Sequence, residues 1–109
     1  MIKEIEVTEL AELKAKDGGA IRVIDIRNPA ELLRGIIPGS EALPMHTIPL
    51  RMSELSKDVK TVMVCHSGAR SAQACMYLMQ QGYENVYNLR GGMMAWHGNG
   101  HEIGLPESA

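Results

Sequence analysis

The chain has 109 residues, 45% apolar and 22% charged, with a formal net charge of −2. That length supports one hydrophobic core rather than two domains of ordinary size, so a single domain over 1–109 is expected. Acidic and basic residues are interspersed, leaving no basic stripe for nucleic acid or an anionic membrane, and no apolar run approaches the roughly 20 residues of a membrane span.

In chain order, Ile5 to Val7 reads as a short first strand, after which Thr8 can cap a helix with Leu10 and Leu13 on one face, ended by Gly18-Gly19. Arg22 to Ile26 reads as a buried strand. It leads into Asn28-Pro29-Ala30-Glu31, where Asn is placed to cap, Pro to sit first and Glu to close a capping box. That helix should stop by Gly35, before the Pro38-Gly39 turn. Glu41 to Leu43 is an expected edge strand, and Thr47 to Leu55 a short helix with Pro49 near its start. Thr61 to Cys65 is the clearest strand, apolar enough to be covered on both faces. From Arg70, the spacing of Ala72, Cys75, Met76 and Met79 predicts an amphipathic helix that Gly82 can terminate. Val86 to Leu89 is the last expected strand, followed by Gly91-Gly92, a short helix bearing Trp96 and a tail without recognisable chemistry. Strands alternating with helices predict an α/β domain with a mainly parallel sheet.

The chemistry concentrates in Cys65-His66-Ser67-Gly68-Ala69-Arg70-Ser71, between the best strand and the best helix. Ligands of open α/β sheets bind beyond the carboxyl ends of strands, where Cys65 stands. Tight-loop amides and the free N–H groups of a helix start favour negative charge, which should lower the thiol pKa and make Cys65 a nucleophile. Gly68 lets the loop curl, Ser67 and Ser71 can donate hydroxyl hydrogen bonds, and Arg70 supplies a planar cationic fork suited to oxyanions. Alone, a strand-end cysteine is more often a buried small hydrophobe; the succession of cysteine, glycine, arginine and helix start favours a working site. Two cysteines are too few for a disulfide framework, and Cys75 falls on the apolar helix stripe as core packing, with a resolving thiol as the alternative. His46, His66, His97 and His101 lack metal-ligand spacing, so no metal is expected. Asp25 and Arg27 flank Ile26 at a strand end, where a supporting salt bridge is the expected role. The N-terminus MIKEIEVTEL has no secretory pattern, so a cytoplasmic location is expected, or a periplasmic one if a leader has been cleaved.

VCHSGARS followed by a helix resembles the active-site segment of single-domain rhodaneses. Asp25-Ile26-Arg27-Asn28-Pro29 through Gly35-Ile36-Ile37-Pro38-Gly39-Ser40 resembles the family's first motif, and Gly82-Tyr83 with Leu89-Arg90-Gly91-Gly92-Met93-Met94-Ala95-Trp96 its closing one. The likeness runs from about Ile5 to Gly104. It implies a three-layer domain with a five-stranded parallel sheet flanked by helices and the active-site loop at its centre. It also implies sulfur transfer: Cys65 takes the outer sulfur of an anionic donor, thiosulfate or a persulfide, and passes it to cyanide, a thiol or a sulfur-carrier protein. His66 to Ser71 would hold the transferred sulfur and Arg70 the anionic donor, with no cofactor required. Phosphatases and arsenate reductases of this fold place the arginine six positions after the cysteine; here the interval is five, a tighter loop. A rhodanese-like module that docks a partner without catalysis often lacks the cysteine. The chain departs from the family pattern at Ile36, where histidine is usual, and at His66, where arginine is common; both bear on donor preference.

Overall fold

The computed structural model describes residues 1–17 and 20–106. Five strands, β1 (Lys3–Ile5), β2 (Ile21–Asp25), β3 (Glu41–Ala42), β4 (Lys60–Val64) and β5 (Val86–Leu89), form one sheet in the order β1-β5-β4-β2-β3, every pairing parallel. Between them run α1 (Val7–Asp17), α2 (Pro29–Leu32), α3 (Ile48–Arg51) and α4 (Ala69–Gln80), and α5 (Gly92–Gly98) follows β5.

Parallel pairing buries both faces of a strand, and β4 shows the result: Thr61 to Val64 are all inaccessible to solvent. The pleat still sorts them. Met63 packs with Ile24, Ala74, Cys75 and Leu78 on the side of α3 and α4. Val62 and Val64 pack with Val23, Leu10, Met93 and Trp96 on the side of α1 and α5. The domain is therefore three layers, with β4 at the centre of the middle one. Among the described residues no helix is long and apolar enough to cross a membrane.

Several boundaries differ from those the residues suggest. The first strand ends at Ile5, because Lys3 to Ile5 pair with Tyr87 to Leu89. Val7 then turns into the first helical position with its side chain buried, so Thr8 lies inside α1 rather than capping it. The Gly18-Gly19 helix stop lies outside the described residues. The second strand is shifted one residue toward the N-terminus, and Cys65 stands just past β4, freeing its backbone for the loop. The segment around Pro49 is one turn of α-helix between two 3-10 turns, Met45–Thr47 and Met52–Glu54.

α2 begins as its residues dictate. Asn28 Oδ1 accepts from Glu31 N–H at 2.9 Å, Glu31 Oε1 accepts from Asn28 N–H at 3.2 Å, and Pro29 takes the first helical position. The chain after α5 is anchored as well: Ile36 and Gly104 exchange antiparallel hydrogen bonds of 2.9 and 2.8 Å, and Trp96 Nε1 donates to Glu102 O at 2.7 Å. Ile36 is thus the partner of the returning tail.

Candidate active site

β2 feeds β3 on one side of the sheet and β4 feeds β5 on the other, so the crevice beyond the strand ends opens between β2 and β4. Asp25 and Arg27 arrive there from β2, and Cys65 from β4. The Ile26 N–H to Val64 O bond, 3.0 Å, carries the pairing of the two strands to the edge of that crevice.

The loop from Cys65 to Gly68 turns sharply into α4. Gly68 has φ +98° at the α4 N-cap, and a side chain there would stand 3.3 Å from Gly91 N and Leu89 O. Gly68 N–H donates to Cys65 Sγ at 3.1 Å, and Ser71, one turn into α4, sets its hydroxyl 3.3 Å from the same sulfur. The loop carbonyls point the other way. Cys65 O and His66 O accept from the first free amides of α5, Met93 N–H at 2.9 Å and Met94 N–H at 3.0 Å. Gly92 permits that contact, since a Cβ there would lie 2.5 Å from Cys65 O. With its carbonyls engaged by α5, the loop turns its amides toward the sulfur.

Burial pushes the Cys65 thiol pKa up, but hydrogen bonds from the Ser71 hydroxyl and from the N–H groups of Ser71, Gly68 and Ser67 outweigh that and hold it below the ordinary range. Cys75, on the buried face of α4, has no such donors among the described residues. Burial, with the charge of Glu4 adding to it, pushes its thiol up to about 12, which makes it inert at neutral pH.

Arg70 does not offer the free fork that its position suggests. Its guanidinium lies bidentate on Glu31, at 2.9 and 2.8 Å, so the α2 capping-box carboxylate also spans to the start of α4. The Arg70 hydrogen bonds overcome desolvation and hold Glu31 at a pKa of about 2. Asp25 and Arg27 form a buried pair, with Nη2 to Oδ2 at 2.8 Å, and Arg27 also donates to Gly35 O at 2.8 Å, tying β2 to the end of the α2 segment. His66, Ser67 and Ala69 are exposed. His66 borders a cleft of about 350 Å³ whose lining includes Glu31, Arg34, Met93, Met94 and His97.

Two polar residues of this neighbourhood go unnoticed in the sequence. Glu31 reads as a helix cap because its second partner, Arg70, lies 39 positions away. Asn88, only 2% exposed on β5, reads as one letter of an apolar strand, yet it touches the Ser71 hydroxyl, Gly68 O and Glu4. The available signal was its polarity within a fully buried run, since a buried amide must find partners.

Known proteins are similar to this chain. A sulfurtransferase of Allochromatium vinosum is 52% identical over 98% of this chain and 99% of its own. The thiosulfate sulfurtransferase GlpE of Pseudoalteromonas translucida is 39% identical over 86% of this chain and 88% of its own. Among solved structures, a rhodanese-related protein from Thermoplasma volcanium superposes with a TM-score of 0.85 at 32% identity, covering 95% of this chain and 99% of that one. The family model described as Rhodanese-like domain matches residues 6–99, and with a five-stranded parallel sheet in three layers the chain belongs to the rhodanese-like domain family.

Proposed function

We propose that the protein is a sulfurtransferase that carries a sulfane sulfur on Cys65, taking it from thiosulfate or a persulfide and giving it to cyanide, a thiol or a sulfur-carrier protein. The observation that carries this reading is the placement of Cys65 Sγ against the Gly68 amide and the Ser71 hydroxyl, at the start of a helix. Relatives named as sulfurtransferases support it.

In the first half-reaction the Cys65 thiolate attacks the outer sulfur of thiosulfate. A Cys65–sulfur bond forms, the sulfur–sulfur bond of the donor breaks, and sulfite leaves with the electron pair. The terminal sulfur now carries the charge, and in this reading the amides from His66 to Ser71 hold it. In the second half-reaction the acceptor attacks that sulfur and Cys65 leaves as thiolate, with no net oxidation. Arg70 assists by lending positive charge to the loop, a contribution that its bidentate pairing with Glu31 reduces. Asp25 and Arg27 brace the crevice without touching the reacting atoms.

Intact mass after treatment with thiosulfate tests this directly. The expected result is a gain of one sulfur, removed by cyanide as thiocyanate and absent in Cys65→Ser. No mass gain, or no thiocyanate above the Cys65→Ala background, overturns the proposal in favour of a module that only docks partners.

A further inference from the structure

We propose that Asn88 is a positioning residue for Cys65, acting through the single hydroxyl proton of Ser71, which rests on Asn88 Oδ1 while the thiol is protonated and turns to Sγ when the thiol ionises. The inference rests on Cys65 being the working thiol and requires no particular sulfur donor.

Ser71 and Asn88 are buried beneath the loop, at 0% and 2% exposure, so neither can turn to water for a partner. Ser71 Oγ has two acceptors in reach, Cys65 Sγ at 3.3 Å and Asn88 Oδ1, and one proton to give. The side of Asn88 that faces Ser71 is fixed. Its Nδ2 donates to Gly68 O at 3.2 Å and to Glu4 Oε2 at 3.0 Å, and reversing the amide would set its oxygen against a carbonyl and a carboxylate. Oδ1 therefore faces Ser71 strictly as an acceptor. With a neutral thiol every group is satisfied: the thiol hydrogen can point at Ser71 Oγ while the hydroxyl points at Asn88. When the thiol releases its proton to solvent, the hydroxyl turns to the sulfur and Asn88 Oδ1 is left buried without a donor, a state that disfavours ionisation. Once a second sulfur is bound, Sγ is neutral and the hydroxyl proton returns to Asn88. The charged groups around this cluster are Glu4 from β1, Asp25 and Arg27 from the end of β2, Glu31 from α2 and Arg70 from α4, and His66 is the loop's own imidazole. Asp25 with Arg27 and Glu31 with Arg70 are ion-paired, whereas Glu4 meets Asn88 itself.

The test is the pH titration of thiolate ultraviolet absorbance in the full chain, in which Cys75 stays silent because its thiol is pushed up to about 12. Asn88→Ala should lower the midpoint by roughly one unit, the scale of one hydrogen bond to a charged acceptor. In a Ser71→Ala background the same substitution should leave the midpoint unmoved. A shift of equal size with and without the Ser71 hydroxyl, or no shift in either, overturns the proposal, since a displaced loop would act in both backgrounds. Circular dichroism checks each variant for folding. If Asn88→Ala fails to fold, the near-isosteric Asn88→Leu carries the test. It too removes the competing acceptor, so the midpoint should fall with Ser71 present and stay unmoved with Ser71→Ala; equal falls in both backgrounds, or none, overturn the proposal. A chain that shows these shifts but takes no sulfur from thiosulfate overturns the transfer reading and supports the relay.

Discussion

Cys65 ionises in competition between burial and four hydrogen-bond donors, and the donors prevail. On the proposed mechanism the acid limb of kcat/KM against pH therefore lies lower than a free cysteine would place it. Ser71→Ala, which removes a donor to the thiolate, should move that limb upward, as read in a pH–rate profile with thiosulfate. On the same mechanism Glu31 acts in the opposite sense on an incoming donor. Its carboxylate occupies the Arg70 fork and lines the cleft beside His66, so a dianion entering there meets a fixed negative charge. Glu31→Gln retains an acceptor for the helix cap and removes that charge; KM for thiosulfate should fall severalfold with kcat little changed, measured by steady-state thiocyanate formation. The same substitution bears on acid stability. The folded-state pKa of Glu31 is lowered from 4.5 to about 2, so its contribution is present above the unfolded value and fades as pH falls toward 2. Between about pH 5 and 2, urea midpoints of the parent should drop more steeply than those of Glu31→Gln. A parallel decline in the two proteins would contradict this account of the ion pair.

At the scale of elements, the loop is shaped by α5 as much as by the strand and helix that adjoin it. Gly92, at φ +56°, lets Met93 and Met94 donate to the loop carbonyls; a methyl there would collide with Cys65 O at 2.5 Å and His66 O at 2.6 Å. Gly92→Ala should cost roughly 2–3 kcal/mol, lowering Tm by on the order of 10 °C. Gly98, at the other end of α5, has nothing within 4 Å of its would-be Cβ, so Gly98→Ala should leave Tm level or raise it slightly. Thermal unfolding of the two variants side by side checks the contrast. The contrast also marks what the sequence discloses. Asn28, Pro29 and Glu31 are legible as a helix start because every partner lies within three residues. The ends of β1 are not legible locally, because the β-branched character of Ile5 and Val7 is shared, while their roles are set by pairing with Tyr87 to Leu89 and by packing in the cluster that holds Trp96. The clasp of α5 on the loop joins positions about a quarter of the chain apart, and nothing local announces it.

For the whole molecule, alternating strand and helix patterns are enough to predict a parallel α/β sheet, and the apolar run into Cys65 marks its centre. The order of strands is another matter. β1 pairs with β5, at the far end of the sequence, and β4 lies between β2 and β5; only the complete three-layer core selects that order. Asp25 and Arg27 show the same division, since their adjacency is visible in the sequence but their burial and the bond to Gly35 O are not. Asp25→Ala strands a buried guanidinium and should destabilise the domain by about 3–5 kcal/mol, measured as a lower urea midpoint at unchanged m-value. The clasp around Cys65 has a further consequence. Its carbonyl is fastened to one helical layer and its sulfur faces donors from the other, so the side chain has little freedom to swing outward. Displacement at divalent sulfur runs nearly in line, with attacking atom, target sulfur and departing group on one axis. If Cys65 is the attacking atom, the scaffold fixes that axis before any reagent arrives. Discrimination then falls on trajectory: a reagent whose outermost sulfur is unencumbered can approach end-on, while one crowded beside that sulfur is turned away whatever its charge.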